Sequence, residues 1–294
     1  MGKDLAEAFP ECKALFDRAD ALLGWSLSQA VFEGPAERLV QTDVCQPAIF
    51  VASAAAWTAL RRLAPDARFG MLAGLSLGEC TALWAGGAVS FDDAVRILAA
   101  RGRFMHEACD ANPSGMVSIL KLDAAACEKI AAGTGCTVTN YNAALQTVLG
   151  GTHEAIEAAA AAAAAAGGRA VVLKTAGAYH SPFMAPAAEK LAAVLETAEL
   201  RAPSVPVLSN YTGRAHGDAA EIRSSMVAQV ANPVRWTDDT AAMAAAGEDA
   251  FFEFGPGAVL TGMVKRAVPG AKLFNVNSEP AVRSAAEALA SPAA

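Results

Sequence analysis

Residues 69–84 read Phe69-Gly70-Met71-Leu72-Ala73-Gly74-Leu75-Ser76-Leu77-Gly78-Glu79-Cys80-Thr81-Ala82-Leu83-Trp84. Phe69 to Gly74 is a short apolar run bounded by Asp66 and Gly74, which predicts a buried strand. Leu77 to Trp84 resumes at helical spacing and runs out near Gly86-Gly87. Buried strand, tight turn and helix form the repeating unit of α/β domains. Inside the turn sits Gly74-Leu75-Ser76-Leu77-Gly78, a G-x-S-x-G. The pattern alone is weak in a chain rich in small residues, but its context is informative. A sharp strand-to-helix turn pushes the serine hydroxyl out of the sheet, and the glycines leave room for the bend. The backbone N–H groups that follow, beginning with Leu77, then face any oxyanion formed on Ser76. Ser76 is a candidate nucleophile; the plainer alternative is a tight turn whose serine only caps the helix.

Working outward, Leu15 to Leu23 and Ala48 to Leu63 carry apolar residues at helical spacing, the second after Pro47 as a first-turn residue. Ser90 with Asp92 and Asp93 caps a helix over about Phe91 to Cys109. The middle of the chain changes character. Strands are predicted at Gly115–Lys121, Cys136–Tyr141, Thr147–Gly150 and Ala170–Lys174, with helices at Asp123–Ala132 and His153–Ala166. That order, β-α-β-β-α-β, is the split-βαβ arrangement of ferredoxin-like domains. The alanine run Ala158 to Ala166, stopped by Gly167-Gly168, reads as helix and not as linker. Pro113 and Ala176-Gly177 bound this unit. A helix at Ala185–Ala198, a strand around Val205–Leu208, another helix and a strand at Ala250–Phe254 follow. The expected organisation is a discontinuous α/β core, residues 1–112 and 177–294, with a small ferredoxin-like domain, 113–176, inserted.

Composition narrows the function. The 294 residues are 54 % hydrophobic and 18 % charged, which excludes a disordered chain, and aromatics at 6 % leave Ala, Val and Leu to fill the core. A net charge of −7 without a Lys/Arg cluster lacks the footprint of a nucleic-acid binder. No run of eighteen apolar residues predicts a membrane span, and the charged Lys3, Asp4 and Glu7 speak against a signal peptide. The six cysteines form no C-x-x-C pair and are expected as free thiols in a reducing cytosol. The four histidines show no metal-ligand spacing, so no metal site is expected.

A serine nucleophile needs a base. His106 falls mid-helix, His153 opens a helix and His216 lies in a Gly/Asp-rich turn. His180 follows a predicted strand through Ala176-Gly177-Ala178-Tyr179 and precedes Ser181-Pro182, a strand-to-helix junction of the kind that presents catalytic groups. Taken singly, a loop histidine is more often a surface residue.

Several stretches together resemble the malonyl-CoA:acyl carrier protein transacylase family. They are Gln46-Pro47-Ala48, Gly74 to Glu79, Arg101-Gly102-Arg103-Phe104-Met105, Asn140-Tyr141-Asn142-Ala143, Ala178 to Met184, Asn232-Pro233-Val234-Arg235-Trp236 and Gly255 to Gly262. They occur in family order and cover nearly the whole chain. The resemblance implies an α/β-hydrolase-like parallel-sheet core with an inserted ferredoxin-like domain. It implies transfer of malonyl from malonyl-CoA to the phosphopantetheine thiol of an acyl carrier protein, in fatty-acid biosynthesis. Carried over residue by residue, Ser76 takes the acyl group and His180 is general base and then acid. The backbone carbonyl of Gln229 orients the histidine, and Arg101 holds the substrate carboxylate in a bidentate pair. Gln46, Leu75, Leu77, Tyr179 and Asn142, with Asn140, shape the acyl and pantetheine pocket. No prosthetic group, metal, nucleic acid or membrane is implied, and the enzyme is expected as a cytoplasmic monomer.

Three departures bear on the reading. Leu75 stands where the family usually has histidine, Tyr179 where malonyl-selective members usually have phenylalanine, and Asn142-Ala143-Ala144 lacks the usual Pro-Gly. The first makes the pocket less polar, the second bears on malonyl selectivity and the third on the small domain's ligand contacts. Glu79 is assigned to the electrostatics of the helix start, without chemistry. Family members open on a short apolar strand and a Gln-rich loop, whereas this sequence opens at Met1-Gly2-Lys3-Asp4-Leu5. The expectation is either an assigned start at an internal methionine or a shortened, impaired form. Competing readings are a serine hydrolase or thioesterase of the same fold and a catalytically impaired acyltransferase-like scaffold. Fatty-acid and polyketide carriers are not separable by sequence.

Overall fold

The computed structural model describes residues 1–290; the tail of the expected core domain, 291–294, lies outside them. Four helices open the chain: α1 (Lys3–Ala8), α2 (Pro10–Leu23), α3 (Leu27–Glu33) and α4 (Ala36–Leu39). They pack beside α5 (Thr42–Leu63), the long central helix, with fourteen buried residues. Sequence reading started this helix at Ala48; it starts at Thr42, with Pro47 inside. The proline lies in the second turn, so its missing N–H forfeits only the bond to the Asp43 carbonyl. One turn earlier the Gln41 carbonyl accepts from both Val44 and Cys45 N–H, which holds the start together. By length and composition α5 could cross a membrane, yet most of it is buried inside the fold.

The G-x-S-x-G segment leads into α6 (Leu77–Ala85), and Ser90 caps α7 (Phe91–Ala111) by accepting the Asp93 N–H. Helices α5 and α7 pack together tightly at Gly102. A Cβ there would lie 2.3 Å from the Thr42 carbonyl oxygen, so only glycine lets Arg101, one residue earlier, reach the first turns of α5.

The middle of the chain forms β1 (Gly115–Leu120), α8 (Ala124–Thr134), β2 (Thr137–Ala143), β3 (Gln146–Gly151), α9 (His153–Ala165) and β4 (Arg169–Val172). The sheet order is β2-β3-β1-β4, antiparallel throughout, which is the ferredoxin-like topology. Asp123 and Thr152 cap its helices through side-chain oxygens. Val117, Ile119, Leu149, Ile156 and Ala159 form a core of their own, separate from the main cluster.

The chain then re-enters the main body through a 3₁₀ turn, Pro182–Met184, into α10 (Ala185–Thr197), followed by α11 (Ala219–Ala231) and α12 (Trp236–Ala245). A parallel pair, β5 (Ala250–Phe254) and β6 (Lys272–Val276), encloses α13 (Val259–Ala267), and α14 (Glu279–Ala290) closes the described chain. The fold is α/β, with parallel pairing in the larger part. Two predicted strands are reduced to bridges: Phe69–Gly74 and Val205–Leu208 meet only at Leu72 and Val207, in parallel. Leu72 donates to the Pro206 carbonyl and accepts from Leu208, while Pro206 has no N–H with which to extend the ladder. Leu208 also bridges Ala215. On the other side of residues 69–74 the facing element is β5, across the main cavity. A further parallel bridge, Asn140 to Val234, ties the small sheet to the segment before α12.

Candidate active site

The turn at Ser76 is built by close backbone approach. A Cβ on Gly74 would sit 2.0 Å from the Gly78 carbonyl oxygen, a contact that backbone cannot relieve. Ser76 itself has φ 57° and ψ −110°, a region costly for a non-glycine residue. Its N–H donates to Asn210 Oδ1 at 2.6 Å, and its carbonyl accepts from Gln229 Nε2 at 2.9 Å. The Gly78 and Glu79 N–H groups bond the Leu75 and Ser76 carbonyls. Of the N–H groups from Leu77 to Glu79, this leaves only that of Leu77, first in α6, without a partner among the described residues, so the donors after Ser76 offer an oxyanion one group and not the series expected from sequence.

Ser76 Oγ lies 2.7 Å from His180 Nε2. Ring Nδ1 lies 2.8 Å from the Gln229 carbonyl oxygen, so Nδ1–H donates there and Nε2 is left to accept the serine proton. Among the described residues no carboxylate bonds either ring nitrogen. Like Ser76, His180 has a positive φ, 58°. Ser181, just after it, caps the 3₁₀ turn by accepting the Phe183 N–H and donates to Ala178, which pins the junction. Burial and the nearby guanidinium push the His180 pKa down to about 3, against the pull of the Gln229 carbonyl. The ring is a neutral base at physiological pH.

Arg101 reaches the same oxygen from α7. Its Nη2 donates to Ser76 Oγ at 3.0 Å and to Gln229 Oε1 at 2.8 Å, and Nη1 donates to Gln46 Oε1 at 2.7 Å. The side chain is buried, which lowers its pKa to about 10, so it stays charged at neutral pH. The structure therefore brings Ser76, His180, Arg101, Gln46 and Gln229 together. Gln46 is buried beneath Arg101, with Nε2 on Met105 Sδ, and does not line the main cavity as expected of a pocket residue. That cavity, about 770 Å³, runs from Ser76 and His180 between residues 69–74 and β5. Leu75, Leu77, Tyr179, Asn140 and Asn142 line it. The Tyr179 hydroxyl is held by Thr42 at 2.8 Å, and Asn142 Oδ1 is buried without a partner among the described residues.

Sequence reasoning missed a second layer. Glu79 is 1 % exposed and accepts from the Asn210 N–H at 2.9 Å, Gln229 Nε2 at 2.8 Å and His216 Nε2 at 2.8 Å. His216 is thus a buried partner and not a turn histidine on the surface. Asn210 Nδ2 also donates to Asp239 Oδ2 at 2.8 Å, and burial raises the Asp239 pKa to about 7. The only local signal was the spacing of Glu79, one helical turn after Ser76. Cys80 beside it is no rival nucleophile: burial pushes its thiol up to about 12.

Comparison with known proteins places these residues in a wider setting. The acyl transferase domain family matches residues 1–282. The malonyl CoA-acyl carrier protein transacylase of Salmonella typhimurium is 41 % identical over 291 residues, 97 % of this chain and 94 % of that protein. Among solved structures, an acyl carrier protein S-malonyltransferase from Vibrio cholerae superposes with a TM-score of 0.93 at 35 % identity, covering 97 % of this chain and 94 % of that one. A malonyl-transacylase in complex with its type II polyketide acyl carrier protein superposes with a TM-score of 0.91 at 37 % identity, covering 98 % and 94 %.

Proposed function

The chain belongs to the acyl transferase domain family, and we propose that it moves malonyl from malonyl-CoA to acyl carrier protein through a Ser76 acyl-enzyme. It is an acyltransferase of the malonyl-CoA:acyl carrier protein transacylase type, in fatty-acid biosynthesis. The observation that carries the residue assignment is the convergence on one oxygen: Ser76 Oγ accepts from Arg101 while donating to His180.

In the first half-reaction His180 Nε2 takes the Ser76 proton as Oγ attacks the thioester carbonyl. The tetrahedral oxyanion faces the Leu77 N–H and the N-terminus of α6. Collapse breaks the carbon–sulfur bond, and His180 returns the proton to the departing coenzyme A sulfur. In the second half-reaction the pantetheine thiol gives its proton to His180 and attacks the acyl-serine. Ser76 Oγ leaves and recovers that proton, so each half-reaction balances. Arg101 turns from Ser76 to the malonyl carboxylate as the acyl group enters, a pairing for which the guanidinium fork is shaped. Asn142, with its unpartnered oxygen, offers an acceptor to an amide N–H of the pantetheine arm.

A division into a core, 1–112 and 177–294, and a small domain, 113–176, supports this reading, because residues of both line the cavity. We take the protein as a cytoplasmic monomer; the burial of most of α5 inside the fold supports a core helix in place of a membrane span. A carbonyl in place of a carboxylate behind His180 departs from the Ser-His-Asp arrangement of the hydrolase reading. The test is to follow malonyl-CoA consumption with and without holo acyl carrier protein. Transfer should outrun release to water by more than about a hundredfold, on the order of 3 kcal/mol. Equal rates would make the protein a thioesterase.

A further inference from the structure

Arg101 is buried, yet among the described residues its bonds all go to uncharged acceptors: Gln46, Gln229 and the Ser76 hydroxyl. A guanidinium taken from water needs a compensating charge. Gln229 leads to one. Its Oε1 accepts from Arg101 Nη2 at 2.8 Å while its Nε2 donates to Glu79 Oε2 at 2.8 Å. One amide therefore bridges a buried cation and a buried carboxylate, polarised by both in the same sense.

We propose that Glu79 is the buried counter-charge of Arg101 and a positioning residue for malonyl recognition, acting through the side-chain amide of Gln229. The proposal rests on the reading above, in which Arg101 receives the malonyl carboxylate. Three N–H donors converge on Glu79, from His216, Asn210 and Gln229, an arrangement suited to the acceptor-only ionised form. His216 Nε2 lies 2.8 Å from Glu79 Oε1 and its Nδ1 has no partner among the described residues, so the ring spends its one bond on the oxygen that Gln229 does not use. The other acidic neighbour, Asp239, is held on Asn210 and bonds neither Arg101 nor Gln229.

The consequence is specific. With Glu79 ionised, Arg101 is compensated and oriented before substrate arrives, and an incoming carboxylate must share it. Removing the Glu79 charge takes the pair from neutral to a single positive charge. A carboxylate-bearing acyl group then binds more tightly, whereas an uncharged one is indifferent.

The experiment compares Ser76→Ala with Ser76→Ala/Glu79→Gln in the full chain, where no acyl transfer consumes the ligand. Calorimetric titration with malonyl-CoA and with acetyl-CoA gives the readout. Glutamine keeps an acceptor oxygen for Asn210 and Gln229, and its amide can donate to His216 after a change of tautomer. Malonyl-CoA should bind about tenfold more tightly to the double variant, with acetyl-CoA changed by less than about twofold. Weaker binding of both esters, or unchanged malonyl-CoA binding, would overturn the proposal. Glu79→Asp in the same background retains the charge and should keep the parent's malonyl-to-acetyl preference within about twofold; a shift as large as that of glutamine would also overturn it. If the Ser76→Ala parent itself binds both esters alike, Arg101 does not read the carboxylate, and the underlying reading falls together with the proposal.

Discussion

Burial and the Arg101 cation act on His180 in the same direction, and the Gln229 carbonyl opposes them. The ring is thereby kept unprotonated far below its ordinary value of 6.5, at a pKa of about 3. As the neutral ring is the active base, free-enzyme reactivity should survive acidification through pH 6.5. The acid limb of kcat/KM for malonyl-CoA is expected well below 6.5, and a limb between about 6 and 7 would show an imidazole in an ordinary setting. The same shift bears on stability. Between about 3 and 6.5 the unfolded chain binds a proton at His180 that the folded chain does not, so this residue's contribution is lost as pH falls through that window.

The nucleophile turn joins an extended segment to α6, and its two glycines have unequal duties. Gly74 faces backbone at 2.0 Å from where its Cβ would stand, whereas Gly78 meets nothing within 4 Å. Gly74→Ala should therefore destabilise by at least about 1–3 kcal/mol and suppress transfer. Gly78→Ala, inside α6, should be neutral or stabilising by up to about 1 kcal/mol. Paired thermal melts check this, and similar losses at both positions would refute the packing account. The turn was legible from sequence because it is local: serine, glycines and flanking apolar runs lie within a dozen residues. So were the capped helices α7, α8 and α9, whose Ser90, Asp123 and Thr152 each accept a backbone N–H as the residue types suggest. The strands at 69–74 and 205–208 were only half legible. Their apolar content is right for burial, but a ladder depends on partners that sequence does not reveal, and Pro206 limits this one.

At the scale of the molecule, α5 carries Gln46 to Arg101, Gly102 lets α7 close on α5, and α11 presents the Gln229 carbonyl to His180. These approaches join residues far apart in the chain. Sequence reading reached Ser76 through its local motif and His180 as a junction histidine, and the roles of His180, Arg101 and Gln229 through a resemblance that spans the chain. It could not reach the contact between Glu79 and His216, because the two are 137 positions apart and neither carries a local signature of burial. The small sheet, tied to the rest of the chain by the bridge between Asn140 and Val234, contributes Met116, Asn140, Asn142 and Val148 to the lining of the cavity. In the proposed mechanism the acyl group rests on Ser76 before any acceptor is present. Incubation with malonyl-CoA alone, followed by peptide mass spectrometry, isolates that step. A stoichiometric malonyl adduct is expected on the peptide carrying Ser76, lost on adding holo acyl carrier protein and absent from Ser76→Ala. An unmodified Ser76 peptide under conditions that support transfer, or an adduct on another residue, would contradict it.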